Sequence, residues 1–231
     1  MVPARLAIVI VVSFPAGPFQ ANCYVLAAEP GGPALVVDPG MDAAARLDEA
    51  LATQDLTVGA VALTHGHIDH CGDAARVGRD HDVPVWCPTE DRLLLSDPMA
   101  ALGEFARPLV EQWYGSTTLA EPDEVVEVAP DTVEDLAGLR VEFLHAPGHT
   151  PGSSMLRFHD PVHGPIVLSG DVVFAGSVGR VDMPRADARA MQRTLAGVVA
   201  GLDDATHLLP GHGPATTMAR EWATNPFLVA G

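Results

Sequence analysis

Thr64-His65-Gly66-His67-Ile68-Asp69-His70 is the stretch on which the reading of this chain turns. It follows an apolar run, Val58–Leu63, that reads as a buried strand, and it precedes a helical pattern over Gly72–Arg79. Imidazole and carboxylate groups are good ligands for zinc and similar dications. In an extended segment alternate side chains share a direction, so His65 and His67 point the same way. Asp69 and His70 are neighbours and can turn toward a different centre, so one loop can feed two metals. The plainer alternative is a polar loop with idle histidines. A metal site needs about four donors, however, and this loop alone carries that many.

Three further residues sit in the same kind of place. His149 follows the apolar run Leu139–Leu144, Asp171 follows Ile166–Leu168, and His212 follows His207–Leu209. Each lies just beyond a strand and near a glycine. Strand ends gather on one edge of a layered fold, and glycine lets backbone approach a crowded site. The count is five histidines and two aspartates. Two dications need about that many donors if a carboxylate and a water are shared. His65, His67 and His149 are assigned to one metal, Asp69, His70 and His212 to a second, and Asp171 to the bridge between them.

Outward from these loops the chain is a series of short apolar runs. Strands are expected at Leu6–Val12, Asn22–Ala27, Ala34–Val37, Val58–Leu63, Val83–Trp86, Val125–Val128, Leu139–Leu144, Ser154–Phe158, Ile166–Leu168 and His207–Leu209. Leu6–Val12 reads as a strand rather than a secretion signal, because its Ile and Val favour strands. Helical patterns fall at Asp42–Thr53, Gly72–Arg79, Thr89–Leu95 and Asp187–Leu202, the last with Met191, Leu195, Val198 and Leu202 on one face. Runs of strands with helices between them point to an α/β fold with helices packed outside sheets. Ser96–Pro122 is the least regular stretch, read as a packed surface excursion rather than a lid. Nothing of linker composition divides the chain, and residues 1–231 are read as a single domain.

Composition narrows the partners. The 231 residues are 48% hydrophobic, enough for a large core, which excludes wholesale disorder. All 13 basic residues are Arg, against 30 acidic ones, for a net charge of -17. Such a surface repels phosphate backbones and anionic membranes, so neither nucleic acid nor a membrane is expected as a partner. No apolar run nears the ~20 residues of a membrane span. Three cysteines are too few and too odd in number for a disulfide framework, so a reducing, cytoplasmic setting is expected.

The ordered set His65-x-His67-x-Asp69-His70, His149, Asp171, His212 resembles the metallo-β-lactamase superfamily. Asn22-Cys23-Tyr24, Asp38-Pro39-Gly40, Ala146 to Ser153, Gly170 to Asp182 and Leu209 to Gly213 resemble, within it, the glyoxalase II (hydroxyacylglutathione hydrolase) group. The resemblance runs from about Phe14 to Leu228. It implies a four-layer αββα sandwich with a dinuclear site at the edge between two sheets. Full-length glyoxalase II also carries a helical C-terminal domain with basic residues that hold glutathione; with no Lys and about twenty residues after His212, that domain is not expected here. Penicillin-type substrates are not expected, because the β-lactamases of the superfamily lack a bridging Asp at the position of Asp171.

The expected activity is hydrolysis of a 2-hydroxyacyl thioester, a small-molecule substrate. A water shared by two dications becomes hydroxide near neutral pH and would attack the acyl carbonyl. A thiolate, with a free-thiol pKa of ~8.5, leaves without a general acid. Asp171 holds the metals in register, and Asp69 also accepts a hydrogen bond from the hydroxide. Zinc is the expected metal, with iron and manganese as alternatives. Arg180 is the candidate grip on an anionic part of the substrate, an ordinary ion pair being its alternative. Asp38 is either a partner for a ligand histidine or an Asx turn. His81, His145, His159, His163 and Cys71 are read as structural. Two other functions stay open: a mononuclear iron persulfide dioxygenase, and a non-enzymatic metal-binding module.

Overall fold

The computed structural model describes residues 9–228. Two six-stranded sheets face each other. The first takes its strands in chain order: β1 (Ile10–Ala16), β2 (Ala21–Ala27), β3 (Pro33–Val37), β4 (Thr57–Ala62), β5 (Val85–Pro88) and β6 (Val125–Val128). β1 to β3 pair antiparallel and β3 to β6 parallel. The second is built from β7 (Val133–Leu136), β8 (Leu139–His145), β9 (Ser154–Asp160), β10 (Gly164–Gly170), β13 (His207–Pro210) and β14 (Thr216–Thr217). Its order is β14-β13-β10-β9-β8-β7, with β10 and β13 parallel. A small hairpin, β11 (Val173–Phe174) and β12 (Ser177–Val178), stands apart.

The layers follow from the two-residue alternation of strands. On β2, Tyr24 and Leu26 turn inward and pack with Leu35, Val37, Phe143, Leu156 and Leu168 between the sheets. The intervening Cys23 and Val25 belong instead to a cluster with Leu47 and Leu51 of α1 (Ala44–Gln54) and Val77 of α3 (Ala74–His81). Between these helices, α2 (Ile68–Cys71) is a single turn. On the other side Met155, Val167 and Leu208 pack with Met191 of α6 (Ala188–Thr194) and Met218 of α7 (Met218–Thr224). The result is the expected αββα sandwich. The helices α1 and α3 stop at Asp55 and Asp82, both left-handed, a conformation that Asp tolerates better than most residues. Among the described residues no helix is long and apolar enough to cross a membrane.

Three expectations need correction. The first strand was read as Leu6–Val12; residues 6–8 lie outside the described residues, and the strand runs on to Ala16. It passes through Pro15 because β1 is an edge strand, where a missing N–H costs no ladder bond. The helix read as Asp187–Leu202 is α-helical only to Thr194 and continues as a π-helical turn over Leu195–Val199. The wider turn brings Val199 fully into the core and leaves Leu195 and Val198 partly exposed. The stretch 96–122 is not irregular. It holds α4 (Met99–Leu102) and α5 (Arg107–Tyr114), with Val110 in the core and the Tyr114 hydroxyl donating to the Gly72 carbonyl at 2.9 Å. It is packed, as read.

Candidate metal centre

The seven candidate donors converge on one edge of the sandwich, from four loops. His65 to His70 leave β4 of the first sheet, while His149, Asp171 and His212 leave β8, β10 and β13 of the second. The backbone divides the first loop as its spacing suggests. His67 is extended at ψ 145°, and α2 then turns Asp69 and His70 away.

Two groups of the candidate donors form, each able to supply one ligand atom within 4.8 Å of the others: His65, His67 and His149, then Asp69, His70 and His212; a third grouping, Asp38 with His65 and His70, spans them. His65 Nε2 lies 3.1 Å from His67 Nδ1, and His70 Nε2 lies 3.3 Å from His212 Nε2. Asp69 Oδ2 is 3.3 Å from His212 Nε2. Asp171 stands between the groups. One oxygen is 3.4 Å from His70 Nε2, and the other is 3.3 Å from His149 Nε2 and 3.6 Å from His212 Nε2. Two donors at ~2.1 Å from a tetrahedral ion stand about 3.4 Å apart, so these separations suit ligands of shared ions. Three buried atoms, His67 Nε2, His149 Nε2 and Asp171 Oδ1, have no hydrogen-bond partner among the described residues. Orphaned buried polar atoms are costly, and a bound dication would satisfy His149 Nε2 and Asp171 Oδ1, while His67 meets the cluster through its other nitrogen. The residues therefore fit a metal centre.

Protonation agrees with that fit in the first group, whereas the neighbouring carboxylates favour the protonated rings of His70 and His212 in the second. Burial, aided by His70 and His67, holds the His65 pKa well below its usual value. Burial and His149 bring His67 down to about 3. Both rings are then neutral, as metal ligation requires. Burial would raise the Asp69 and Asp171 carboxyls, but His70 and His212 outweigh it and hold both below the ordinary range. Burial would likewise lower His70; Asp171 and Asp69 overcome this and raise it.

A surrounding shell aims the donors. Asp38, at φ 52°, accepts from the Thr64 N–H at 2.8 Å and hydroxyl at 2.6 Å, and lies 2.9 Å from His70 Nδ1. It is thus a partner of a candidate ligand, turning Nε2 of His70 toward the site. His149 Nδ1 donates to the Arg180 carbonyl at 2.8 Å, which likewise leaves Nε2 for the site. Asn22 and Tyr24 donate to the Pro210 carbonyl at 2.9 and 2.7 Å and so tie the His212 loop to β2. Gly211 answers a close approach: a Cβ there would collide with Asp171 Oδ1 and the His70 ring.

The structure brings Arg180 to the cavity, but its guanidinium forks onto Asp182 at 2.7 and 2.9 Å. His145 holds its own loop through Pro151, and His163 pairs with Asp160. Cys71 is buried and donates to the Gly66 carbonyl, with its thiol pKa pushed up by burial.

The sequence reading missed Asp91. This fully buried carboxylate accepts from Gly66 N at 3.0 Å, Thr150 Oγ1 at 2.6 Å and Gly152 N at 3.0 Å. It clamps the His65–His67 loop to the His149 loop. Its signal in the sequence was only an acid in the first turn of Thr89–Leu95, which every helix start favours. Asp91→Asn presents an amide where a second acceptor is needed. It is expected to cost about 2–4 kcal/mol in denaturant unfolding and to weaken metal retention on dialysis by ~10–100-fold. Unchanged retention would leave Asp91 a purely structural clamp.

A four-layer sandwich with a His/Asp donor cluster at its seam is the scaffold of a metal-dependent hydrolase. The chain belongs to the metallo-beta-lactamase superfamily, whose family model matches residues 16–222. An uncharacterized protein of Mycobacterium tuberculosis is 40% identical over 95% of this chain and 97% of its own. The hydroxyacylglutathione hydrolase GloC of Haemophilus influenzae is 31% identical over 93% of this chain and 95% of its own. Among solved structures, BLEG-1 B3 metallo-beta-lactamase is similar with a TM-score of 0.80 and 30% identity, covering 96% of this chain and 100% of that one. TTHA1623 in a di-iron-bound form is similar with a TM-score of 0.74 and 34% identity, covering 94% and 100%.

Proposed function

We propose that the chain is a dinuclear metallohydrolase that cleaves a 2-hydroxyacyl thioester. The observation that carries this reading is Asp171, a buried carboxylate reaching donors of both groups. The likeness to GloC over nearly the whole of both chains supports the thioester. Two bound dications would acidify a shared water and polarise the acyl carbonyl. Zinc suits the donors, and the likeness to the di-iron form of TTHA1623 keeps iron as the alternative.

The residues divide the remaining work. Asp171 holds the two donor groups in register. Asp69, partly open to the cavity, presents Oδ2 as a hydrogen-bond acceptor for the attacking water. Asp38 and the Arg180 carbonyl fix the faces of His70 and His149. The reaction consumes one water and breaks the acyl C–S bond, giving a carboxylate and a thiol. A thiolate leaves unaided, which matters because, among the described residues, the cavity lining adds no acid to the donor set beyond Arg180. The charge of -17 speaks against nucleic acid and membranes as partners. The continuous sandwich supports a single domain. Three buried free cysteines suit a reducing, cytoplasmic setting.

A second reading, cleavage of a β-lactam, is favoured by the likeness to BLEG-1. Metal analysis of purified protein, run beside turnover of lactoyl thioesters and a penicillin with oxygen uptake recorded, decides among them. Expected are nearly two metal equivalents, thioester hydrolysis and no oxygen uptake. Penicillin turnover without thioester turnover would replace the proposal. Oxygen uptake with one iron would move it to persulfide dioxygenation.

A further inference from the structure

The donors form the floor of a cavity of about 340 Å³, and its walls are of another character. Phe19, Leu102, Phe174, Val178 and Met183 line it. They come from four separate places: the β1–β2 turn, the end of α4, the β11–β12 hairpin and the loop after it. The walls are braced. Trp113 of α5 meets Phe19 edge to face at 5.0 Å. Buried Glu221 accepts from Gly176 N at 2.8 Å and so holds the tip of the β11–β12 hairpin. Among the described residues Arg180 is the one Lys or Arg side chain lining the cavity, and Asp182 already occupies it. Phe19 is 45% exposed and Trp113 37%, so an apolar surface continues outward from the mouth.

Resting on the thioester reading, we propose that this site selects an uncharged, apolar thiol carrier and discriminates against an anionic one. Burying an apolar carrier between these walls is favourable in proportion to the area removed from water. A carboxylate lying against these walls, away from the donor floor, meets no unpaired side-chain cation and loses hydration without a partner. The acidic surface adds long-range repulsion. The Arg180–Asp182 fork is the specificity element: it keeps in balance the one cationic side chain that an anionic carrier would use.

The test compares three lactoyl thioesters: of glutathione, of N-acetylcysteamine and of benzyl thiol. The expected kcat/KM is at least ~10-fold higher for the benzyl carrier than for glutathione, with the difference in KM. Phe19→Ala should lower the benzyl value more than the N-acetylcysteamine value. Asp182→Ala should release Arg180 and raise kcat/KM for the glutathione thioester several-fold. Calorimetric binding of the uncleavable thioethers, S-benzyl against S-glutathionyl, reads the same preference without turnover. If no thioester is cleaved yet the benzyl thioether binds more tightly, the thioester reading fails and the apolar preference stands. Equal or better use of the glutathione carrier overturns the preference. So does an equal loss for all carriers in Phe19→Ala. An unchanged glutathione value in Asp182→Ala overturns the role given to the fork.

Discussion

Asp171→Ala is expected to remove nearly all turnover, at least ~100-fold or about 2.7 kcal/mol of barrier, while the protein stays folded. The carboxylate is buried at the meeting of the two donor groups, with one oxygen toward His70 and the other toward His149 and His212. Asp38 also lies near a histidine of each group, His65 and His70, but it is hydrogen-bonded to Thr64 and His70 Nδ1 and does not line the cavity. Asp69 reaches only His70 and His212. The fold has little need of the Asp171 side chain, because one of its oxygens has no hydrogen-bond partner among the described residues. Asp171→Asn keeps the shape but offers a single acceptor, and should fail almost as badly. Steady-state kinetics beside circular dichroism check both variants. Retention of more than about a tenth of wild-type turnover would leave less than ~1.4 kcal/mol resting on Asp171, too little for a residue that joins two metals.

Wild-type protein should carry nearly two metal equivalents, and His212→Ala about one. His212 is 28% exposed at the side chain, so its truncation disturbs little packing. It belongs to the second group alone, and what is left behind, Asp69 and His70 with the shared Asp171, is one protein donor short. The first group, His65, His67 and His149, is untouched. Elemental analysis of both proteins, prepared side by side, gives the ratio. A wild-type value of one, unchanged in the variant, would remove the dinuclear assignment and favour the mononuclear dioxygenase.

Much of the fold was readable because the central strands are buried on both faces and appear as plain apolar runs. β2, β3, β4 and β10 are of this kind. β7, Val-Glu-Asp-Leu, escaped because it is a short edge strand in which only Leu136 is buried. The helix α5 escaped because Pro98, Gly103, Pro108 and Gly115 make the stretch 96–122 look irregular in sequence. Proline in a first helical turn starts a helix, since its missing N–H would be unpaired there anyway. The donors were legible because each sits in a local pattern: strand, glycine, ligand. Asp91 was not, since its partners lie 25, 59 and 61 residues away and nothing near it points to them. Arg180 was visible, but whether its charge was free depended on Asp182, two residues on, and only the fold settles that geometry.

The donors are drawn from both sheets: four residues follow β4 on one side of the seam, and three follow β8, β10 and β13 on the other. A dication gripped by His65, His67 and His149, or by Asp69, His70 and His212, is therefore also a rivet between the halves of the sandwich. The unfolded chain scatters these side chains over almost 150 residues and binds the ion poorly. Mass action then converts free-metal concentration into resistance to unfolding, by ~2.7 kcal/mol for an ion present at a hundred times its dissociation constant. Robustness of the sandwich thus becomes a property of the surrounding metal pool as well as of the chain, and starvation for the ion weakens the catalyst and its scaffold together.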